Sequence, residues 1–259
     1  MAKASVPGRA KTRLVPPLTF DEAAALNTAF LRDVSDNVLL AASSAASPAG
    51  IAGYAAYGPP GAEDFFQRTL PRAIGLIGAW LPNFGDCLFQ TIAEIFARQH
   101  GAAVVLNADS PTLPTALLIE TAQALARPGD RAVLGPSNDG GYYLLGLKAA
   151  HRHLFDNIDW STERVAEQTR ARACEIGLEI HQLPMWYDID DIDGLCRLQD
   201  ELAGAPGANS MAPGSMTPGS MTPSPHFPHY TAKLMTELSR HHDFGGRLQK
   251  VLQVAGARA

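Results

Sequence analysis

Short apolar runs alternate with longer amphipathic stretches from residue 1 to about residue 202. The short runs have the length and the β-branched or apolar content of strands, and the stretches between them have the apolar spacing of helices. This alternation is typical of βαβ units, in which helices connect parallel strands. The pattern therefore predicts an α/β fold with a mixed, mainly parallel sheet flanked by helices.

Six runs have the features expected of strands: 38–42, 51–57, 102–107, 132–135, 142–147 and 179–183. A helix is predicted from Asp21 to Ala41, where apolar residues recur every four positions at Leu26, Phe30, Val34 and Val38. Thr19 followed by Glu22 has the spacing of a capping box at its start. Further helices are predicted near Pro114, from Glu163, and between Gly194 and Leu202.

The composition changes after residue 202, which we take as the end of a domain spanning 1–202. Three near-identical units, SMAPG, SMTPG and SMTPS, lie between Ser210 and Ser224 among further Pro and Gly residues. Such a segment has too few apolar side chains to order itself, so 203–229 is predicted to be a disordered linker. The amphipathic segment 230–259 is predicted to be helical, and it either folds back on the domain or meets a protein partner or a second copy.

Charge and composition exclude several classes of protein. The net charge is -5 and the pI about 5.9, which argues against nucleic-acid binding because few phosphates could be neutralised. No apolar run approaches the ~20 residues of a membrane span, and no apolar segment of a secretory signal follows the basic N-terminus. A cytoplasmic location is expected. The three widely spaced cysteines, Cys87, Cys174 and Cys196, predict buried thiols.

The first candidate site is a short basic loop, VPGRAKTR, at residues 6–13. Backbone N–H groups beside Gly8, together with the cationic side chains, suit the phosphates of a nucleotide. The cationic residues are Arg9, Lys11 and Arg13. The loop lacks the Walker pattern, and a solvated basic tail is the alternative.

Two acidic positions are candidates for a divalent metal. Asp109 follows an apolar run and precedes Pro111, and a carboxylate at a strand end is a suitable ligand for Mg²⁺ or Mn²⁺. Its alternative role is to cap the helix near Pro114. Asp188 belongs to WYDIDDID, in which Asp190 or Asp191 would serve as a helix N-cap. Asp188 is not required as a helix cap, so we pair it with Asp109 as a candidate metal ligand.

Two further segments suit a sugar or an acceptor. In SNDGG, Gly140 and Gly141 let the backbone approach a ligand, and Asp139 can accept hydrogen bonds from hydroxyls or act in acid/base chemistry. A hairpin turn is the alternative. The second segment combines an aromatic with two hydroxyls at Trp160, Ser161 and Thr162, either hydroxyl of which could instead cap the following helix.

Taken together and in order, these segments resemble a known family. They are AKASVPGRAKTRL, NADSPTLP, GPSNDGGYYLLGL, WST and WYDIDD. They are similar to small bacterial glycosyltransferases of the GT-A, nucleotide-diphospho-sugar transferase superfamily, including a branch associated with arsenosugar biosynthesis. The likeness covers residues 1–202. The GPxxDGGYYLxGL and WST elements are specific, whereas DxP alone is common.

The resemblance implies a Rossmann-like GT-A fold and a role for each candidate residue. Gly8, Arg9, Lys11 and Arg13 match the nucleotide-phosphate loop, and Asp109 and Asp188 match the acids that hold Mg²⁺ or Mn²⁺. The sugar or acceptor loop is matched by Asp139, Gly140 and Gly141, with Trp160, Ser161 and Thr162 beside it. Lys11 and Asp139 would then be the catalytic residues, acting on a nucleotide sugar and a small-molecule acceptor.

Two features depart from the family pattern. The resemblance implies an apolar strand ahead of the basic loop, in the middle of the sheet, but Met1 falls directly on the loop. We therefore expect a truncated first strand, caused by an incorrectly assigned start or a truncated gene. In addition, residues 85–90 read GDCLFQ where relatives tend to read GDLGER, so a polar contact of that Glu or Arg is absent.

Three functions are compatible with these residues. Metal-dependent glycosyl transfer agrees best with the resemblance. Nucleotidylyl transfer is the second, because molybdopterin and phospholactate nucleotidylyltransferases of the same superfamily have a similar basic loop and DxP element. The third is a degenerate protein that binds a nucleotide or acts as a scaffold. The sequence contains neither HExxH nor GxSxG, which argues against the corresponding zinc and serine hydrolases.

Overall fold

The computed structural model describes residues 1–47, 50–204, 224–241 and 243–256. Its strands are β1 (Ala2–Lys3), β2 (Tyr54–Gly58), β3 (Gly75–Gly78), β4 (Ala103–Leu106), β5 (Arg131–Pro136), β6 (Tyr142–Leu147) and β7 (Glu179–Gln182). Its helices are α1 (Phe20–Ser43), α2 (Glu63–Thr69), α3 (Phe84–Ala97), α4 (Thr115–Ala126), α5 (Val165–Glu175), α6 (Ile192–Leu202), α7 (His229–His241) and α8 (Phe244–Gly256). Most of the predicted linker, 205–223, lies outside the described residues.

The strands form two adjoining sheets, with the orders β1-β2-β3 and β4-β6-β5-β7. The pairs β1–β2, β2–β3 and β5–β7 are parallel, and β6 runs antiparallel to both β4 and β5. At the junction, the Met1 amino nitrogen donates a hydrogen bond of 2.7 Å to the Leu106 carbonyl oxygen at the end of β4. The predicted α/β fold with a mainly parallel sheet is thus confirmed.

Helix α1 begins as the sequence predicts. The Thr19 hydroxyl accepts a hydrogen bond from the Glu22 N–H at 3.2 Å, and the Glu22 carboxylate accepts one from the Thr19 N–H at 2.8 Å. This capping box satisfies two N–H groups that the helix itself leaves unpaired. The strand predicted over 38–42 is wrong, because α1 continues to Ser43 and Val38 extends its four-residue apolar spacing.

The remaining strand predictions differ from the structure mainly at their ends. Runs 51–57, 102–107, 132–135, 142–147 and 179–183 correspond to β2, β4, β5, β6 and β7. Strand β3 was missed because it is a four-residue GLIG segment, in which glycine at both ends obscures the strand pattern. Strand β1 was missed because it has only two residues.

The cysteine prediction is right only in part. Cys87 is buried, Cys196 is half-buried and Cys174 is exposed on α5, and all three are free thiols. Separately, no helix among the described residues combines the length and the apolar character needed to cross a membrane.

Helices cover both faces of the sheets. One apolar cluster joins α1, α4, α6, α7 and α8 to β5 and β6, and a second joins α3 and α5 to β4, β5 and β6. Within β5, Val133 belongs to the first cluster, whereas Ala132 and Leu134 belong to the second. This alternation follows from the two-residue period of a strand, and it explains why β5 is apolar on both faces.

The C-terminal helices fold back on the domain. Met235 and Leu238 of α7 and Phe244 and Leu248 of α8 are buried in the same cluster as α1. Of the two outcomes left open by the sequence, packing against the domain is therefore the one observed. Contact with a protein partner or a second copy through these helices stays a prediction.

A buried carboxylate of α1 holds the start of α7. The side chain of Asp33 accepts hydrogen bonds from the Tyr230 N–H at 2.9 Å and from the Thr231 N–H and hydroxyl at 2.8 and 2.6 Å. It thereby serves as an N-terminal cap supplied by a neighbouring helix. Arg247 of α8 adds a bidentate ion pair with Glu22, both contacts being 2.8 Å.

Replacement of Asp33 should loosen the C-terminal helices. We expect Asp33→Ala to lower the free energy of unfolding by about 2 kcal/mol, because hydrogen bonds to a charged group are lost and two N–H groups are left unpaired. Urea unfolding measures the change, and hydrogen exchange at Tyr230 and Thr231 should accelerate. Asp36→Ala, in the same helix, is the matched control. Equal stability of the two variants would contradict the capping role.

Candidate active site

The candidate site lies where several loops leave the sheets. The basic loop follows β1, Asp109 follows β4, the SNDGG turn connects β5 to β6, and the WYDIDD segment follows β7. Strands β5 and β7 are parallel, so their carboxyl ends share one edge. Ligand sites of open α/β sheets form at this edge.

Lys11 is the central residue of the site. Its ammonium nitrogen lies 2.6 Å from Asp109 Oδ1 and 2.7 Å from Asp190 Oδ1, and it donates a hydrogen bond of 2.9 Å to the Ile189 carbonyl oxygen. The side chain is 5% exposed. Burial alone would lower the pKa of Lys11, but attraction to the two carboxylates outweighs burial and raises it. Lys11 is therefore a buried cation that joins two loops distant in sequence.

Backbone hydrogen bonds align the two acidic loops. The Ile189 N–H donates to the Asp109 carbonyl oxygen at 2.9 Å, and the Ser110 hydroxyl donates to the Tyr187 carbonyl oxygen at 2.8 Å. The Tyr187 hydroxyl lies 3.1 Å from the Thr112 hydroxyl and also donates to Glu201 at 2.6 Å. These contacts place Asp109 beside residues 188–190.

Asp188 lies among several negative charges. Burial raises the pKa of Asp188 to about 7, and repulsion by Asp139 and Asp190 acts in the same direction. Asp109 makes a further contribution of the same sign. Carboxylates from all three loops thus lie within electrostatic range of Asp188. The pairing of Asp109 with Asp188 as metal ligands stays a prediction.

Asp139 is held within the β5–β6 turn. The Gly141 N–H donates to Asp139 Oδ1 at 2.9 Å, and the Ser137 hydroxyl contacts the same oxygen. The segment is therefore the hairpin turn that the sequence allowed, and it also presents a carboxylate to the acidic cluster. Gly140 has φ +86°, and a Cβ there would lie 2.0 Å from the Glu163 carbonyl oxygen, so only glycine fits.

The other residues of the basic loop face solvent. Gly8, at φ +74°, and the side chains of Arg9 and Arg13 are exposed. The loop is held at its base by Asn27 of α1, whose amide donates to the Lys3 carbonyl oxygen and to the Ser5 hydroxyl. The predicted phosphate loop thus presents two exposed guanidinium groups, while its lysine points inward.

The WST segment packs beside the turn. The Glu163 backbone contacts Gly140, and the Ala166 N–H donates to the Gly140 carbonyl oxygen at 2.9 Å. Trp160 is half-buried against Phe84, with the two rings edge to face and their centroids 5.2 Å apart. Ser161 and Thr162 are exposed.

Of the helix-cap roles that the sequence offered for the site residues, only the one at the start of α6 is observed. Asp191 is the N-cap of α6, accepting a hydrogen bond from the Gly194 N–H at 2.9 Å. Asp109 does not cap α4, whose N-cap is Pro114. The helix predicted from Glu163 begins two residues later, because α5 starts at Val165. Its N-cap residue is Arg164, whose side chain makes no capping hydrogen bond. Ser161 and Thr162 are therefore not N-caps.

A divalent cation at this site would need a suitable set of oxygen donors. Within the described ranges, no group of three or more His, Cys, Asp or Glu side chains is arranged to hold a metal ion. Mg²⁺, however, commonly binds through one or two carboxylates together with substrate phosphates. Asp109 and Asp188 fit that requirement, although Lys11 contacts Asp109 here. The metal prediction is thus compatible with the residues and stays a prediction.

Sequence reasoning missed three residues of the site. Asp190, one of the two residues interpreted as candidate caps of α6, pairs with Lys11 instead. Phe84, which supports Trp160, carried no sequence signal. Asn107 has a buried side-chain oxygen without a hydrogen-bond partner among the described residues, although it lies within the NADSP segment that contains Asp109.

Comparisons with known proteins agree with this architecture. A family profile described as "Uncharacterized protein conserved in bacteria (DUF2064)" matches residues 41–162. Among solved structures, the chain is similar to a "putative nucleotide-diphospho-sugar transferase" from Desulfovibrio desulfuricans G20. The sequence identity is 21% and the TM-score 0.73, over 96% of this chain and 94% of that one. No curated protein matches. The predicted fold is thereby confirmed.

The acidic cluster should make stability depend on pH. Because the folded state raises the pKa of Asp188, stability falls as the pH rises through the range from about 4 to about 7. We expect Asp188→Asn to raise the melting temperature by a few degrees at pH 8 and to change it little at pH 4. Thermal unfolding at both pH values measures this, with Asp64→Asn, an exposed carboxylate of α2, as control. A pH-independent effect would contradict the interpretation.

A methyl group at Gly140 should disrupt the turn. We expect Gly140→Ala to lower the free energy of unfolding by about 3 kcal/mol or more, because it combines left-handed strain with a clash against backbone. Gly61→Ala is the matched control, since Gly61 has φ +83° with open space around its Cβ position. That control should cost only about 1 kcal/mol. Similar losses in both would show that the Glu163 contact is unimportant.

Proposed function

We propose that the protein is a metal-dependent glycosyltransferase that transfers a sugar from a nucleotide-diphospho-sugar to a small acceptor. The observation that carries the proposal is the convergence of Lys11, Asp109, Asp188 and Asp139 at one edge of the sheets. These residues come from the loops after β1, β4 and β7 and from the β5–β6 turn. The fold shared with the Desulfovibrio protein supports the same reaction class.

The nucleotide diphosphate is assigned to the basic loop. Arg9 and Arg13 are exposed there and have guanidinium groups, which can bind phosphate oxygens through paired hydrogen bonds. Lys11 is already neutralised by two carboxylates, so it would contribute to phosphate binding only after one of those ion pairs opens. We therefore assign initial recognition to the arginines and charge stabilisation in the reaction to Lys11.

Asp109 and Asp188 are the residues that would hold the cation. Bound there, Mg²⁺ or Mn²⁺ would neutralise charge on the leaving nucleoside diphosphate. The carboxylates around Asp188 repel one another, and positive charge between them would relieve that repulsion.

Asp139 is assigned to the acceptor. Both hydrogen bonds to its carboxylate use Oδ1, so Oδ2 is the atom that would receive the proton of an acceptor hydroxyl. In the transfer, the acceptor oxygen forms a bond to the anomeric carbon of the sugar. The bond from that carbon to the diphosphate oxygen breaks, and the diphosphate leaves with the bonding electron pair. Contact with the sugar or the acceptor is assigned to Trp160, Ser161 and Thr162.

Ligand-induced stabilisation tests the proposal. Thermal unfolding should be followed with nucleotide sugars and nucleoside triphosphates, each with and without Mg²⁺ or Mn²⁺. We expect one nucleotide sugar to raise the melting temperature only when the metal is present, because a ligand bound to the native state stabilises it by mass action. The shift should be absent in Asp109→Ala and retained in the control Asp64→Asn.

The other outcomes identify the competing functions. A metal-dependent shift with a nucleoside triphosphate, and none with nucleotide sugars, would replace the proposal by nucleotidylyl transfer. A shift that is equal in wild type and Asp109→Ala would contradict the assignment of the metal. The absence of any shift in a folded sample would favour a degenerate protein.

A further inference from the structure

Exposed apolar side chains follow the edge of the sheets that contains the candidate site. Trp80 and Leu81 come after β3, Phe84 begins α3, and Trp160 belongs to the WST segment. The first three are 55%, 38% and 48% exposed, and Trp160 is half-buried. We call these four residues the apolar rim. Single exposed apolar side chains are common, but a contiguous group of them marks a site of interaction.

The aromatic rings of the rim are packed directly on backbone. A Cβ at Gly58, the last residue of β2, would overlap the Trp80 ring. A Cβ at Gly85 would lie 2.8 Å from Trp160 Nε1, and the Trp160 ring also meets Phe84 edge to face. Rings held in this way lose little conformational freedom when a ligand covers them, which favours binding.

The loop between Trp80 and Phe84 is anchored by its own polar groups. The Leu81 N–H donates to Cys87 Sγ at 2.9 Å, and the Cys87 thiol donates to the Leu81 carbonyl oxygen at 3.4 Å. The Asn83 side chain caps α3 by accepting a hydrogen bond from the Asp86 N–H at 3.1 Å. These polar groups thus bind one another, and the loop presents apolar side chains to solvent.

The rim is continuous with the proposed acceptor site. Three residues after Trp160, the Glu163 backbone contacts Gly140, which belongs to the β5–β6 turn that holds Asp139. At the other end, β3 is parallel to β2, and β2 to β1, so the loop after β3 shares an edge with the basic loop. A ligand on the rim would therefore have one end near Asp139 and its body over apolar side chains.

On the basis of the proposed function, we infer that the apolar rim binds the hydrocarbon body of the acceptor, and that the acceptor is an alcohol with such a body. The side chains of Leu81 and Phe84 have no polar atoms, so they favour a ligand whose surface is apolar. A sugar or polyol in the same place would have hydroxyl groups covered without hydrogen-bond partners, which is costly. Continuity with Asp139 selects an acceptor over a membrane surface.

Fluorescence titration with simple alcohols tests the inference. The chain has three tryptophans, and Trp186 is buried, so a change in emission on binding reports on the rim tryptophans, Trp80 and Trp160. The probes are 1-butanol, 1-pentanol and 1-hexanol, with glycerol as the polar control. We expect the emission to shift to shorter wavelength and the dissociation constant to fall by about twofold to fourfold per added CH₂. Glycerol should leave the emission unchanged.

A matched pair of variants locates the bound alcohol. Leu81→Ser removes an aliphatic side chain of the rim, and Ile176→Ser removes one of similar exposure, 40%, before the amino end of β7. We expect Leu81→Ser to weaken 1-hexanol binding by about fivefold or more and Ile176→Ser to leave it unchanged. Both variants keep all three tryptophans, and circular dichroism checks that both are folded.

Four results would overturn the inference. The first is an equal loss of binding in both variants, and the second is an affinity that does not depend on chain length. The third is that uridine monophosphate alone produces the same shift, again lost in Leu81→Ser, which would assign the rim to a nucleobase. The fourth is Leu81-dependent binding to phosphatidylcholine vesicles without binding of 1-hexanol, which would assign the rim to a membrane surface.

The outcome is separable from that of the proposed function, because alcohol binding is measured without metal or nucleotide sugar. Leu81-dependent binding of 1-hexanol in a protein that no nucleotide sugar stabilises would support the alcohol site and contradict the proposed transfer. Metal-dependent stabilisation by a nucleotide sugar, without alcohol binding, would support the transfer and overturn the inferred acceptor class.

Discussion

The buried ammonium group of Lys11 is the interaction on which the arrangement of the site depends. It connects the loop after β1 with Asp109 after β4 and Asp190 after β7, and its side chain is almost completely excluded from solvent. Removing either carboxylate would leave a buried cation with one partner fewer, which is costly in the interior of a protein. Under the proposed function, a ligand would compete with these ion pairs for Lys11 and Asp109, so its binding would be coupled to local stability.

In the acidic cluster around Asp188, by contrast, the charges repel one another. Its carboxylates are held together by backbone bonds such as that from Ile189 to Asp109, and by the β5–β6 turn, although their charges repel. Such an arrangement reduces stability in the free protein, and residues that bind charged ligands commonly have this property. The C-terminal helices are attached to α1 by attractive contacts, in which Asp33 holds the start of α7 and Glu22 pairs with Arg247 of α8.

Much of the fold follows from local patterns in the sequence. The capping box at Thr19 and Glu22, the apolar runs of β4 and β6, and the helices flanking them depend on neighbours within a few residues, so a reader of the sequence can find them. The errors in the strand predictions also arise from reading local patterns. Residues 38–42 resemble a strand locally but continue the long helix α1, and the GLIG segment of β3 has too few side chains to show a strand pattern.

The sequence by itself determined the α/β class and the loops that contain the candidate residues, because composition and periodicity are local properties. Only the tertiary structure decided which charges meet. The sequence offered both Asp190 and Asp191 as the cap of α6. Asp191 is the residue that caps it, and Asp190 binds Lys11, 179 positions away. Contacts between residues so far apart in sequence depend on the tertiary fold, and no short stretch of sequence encodes them.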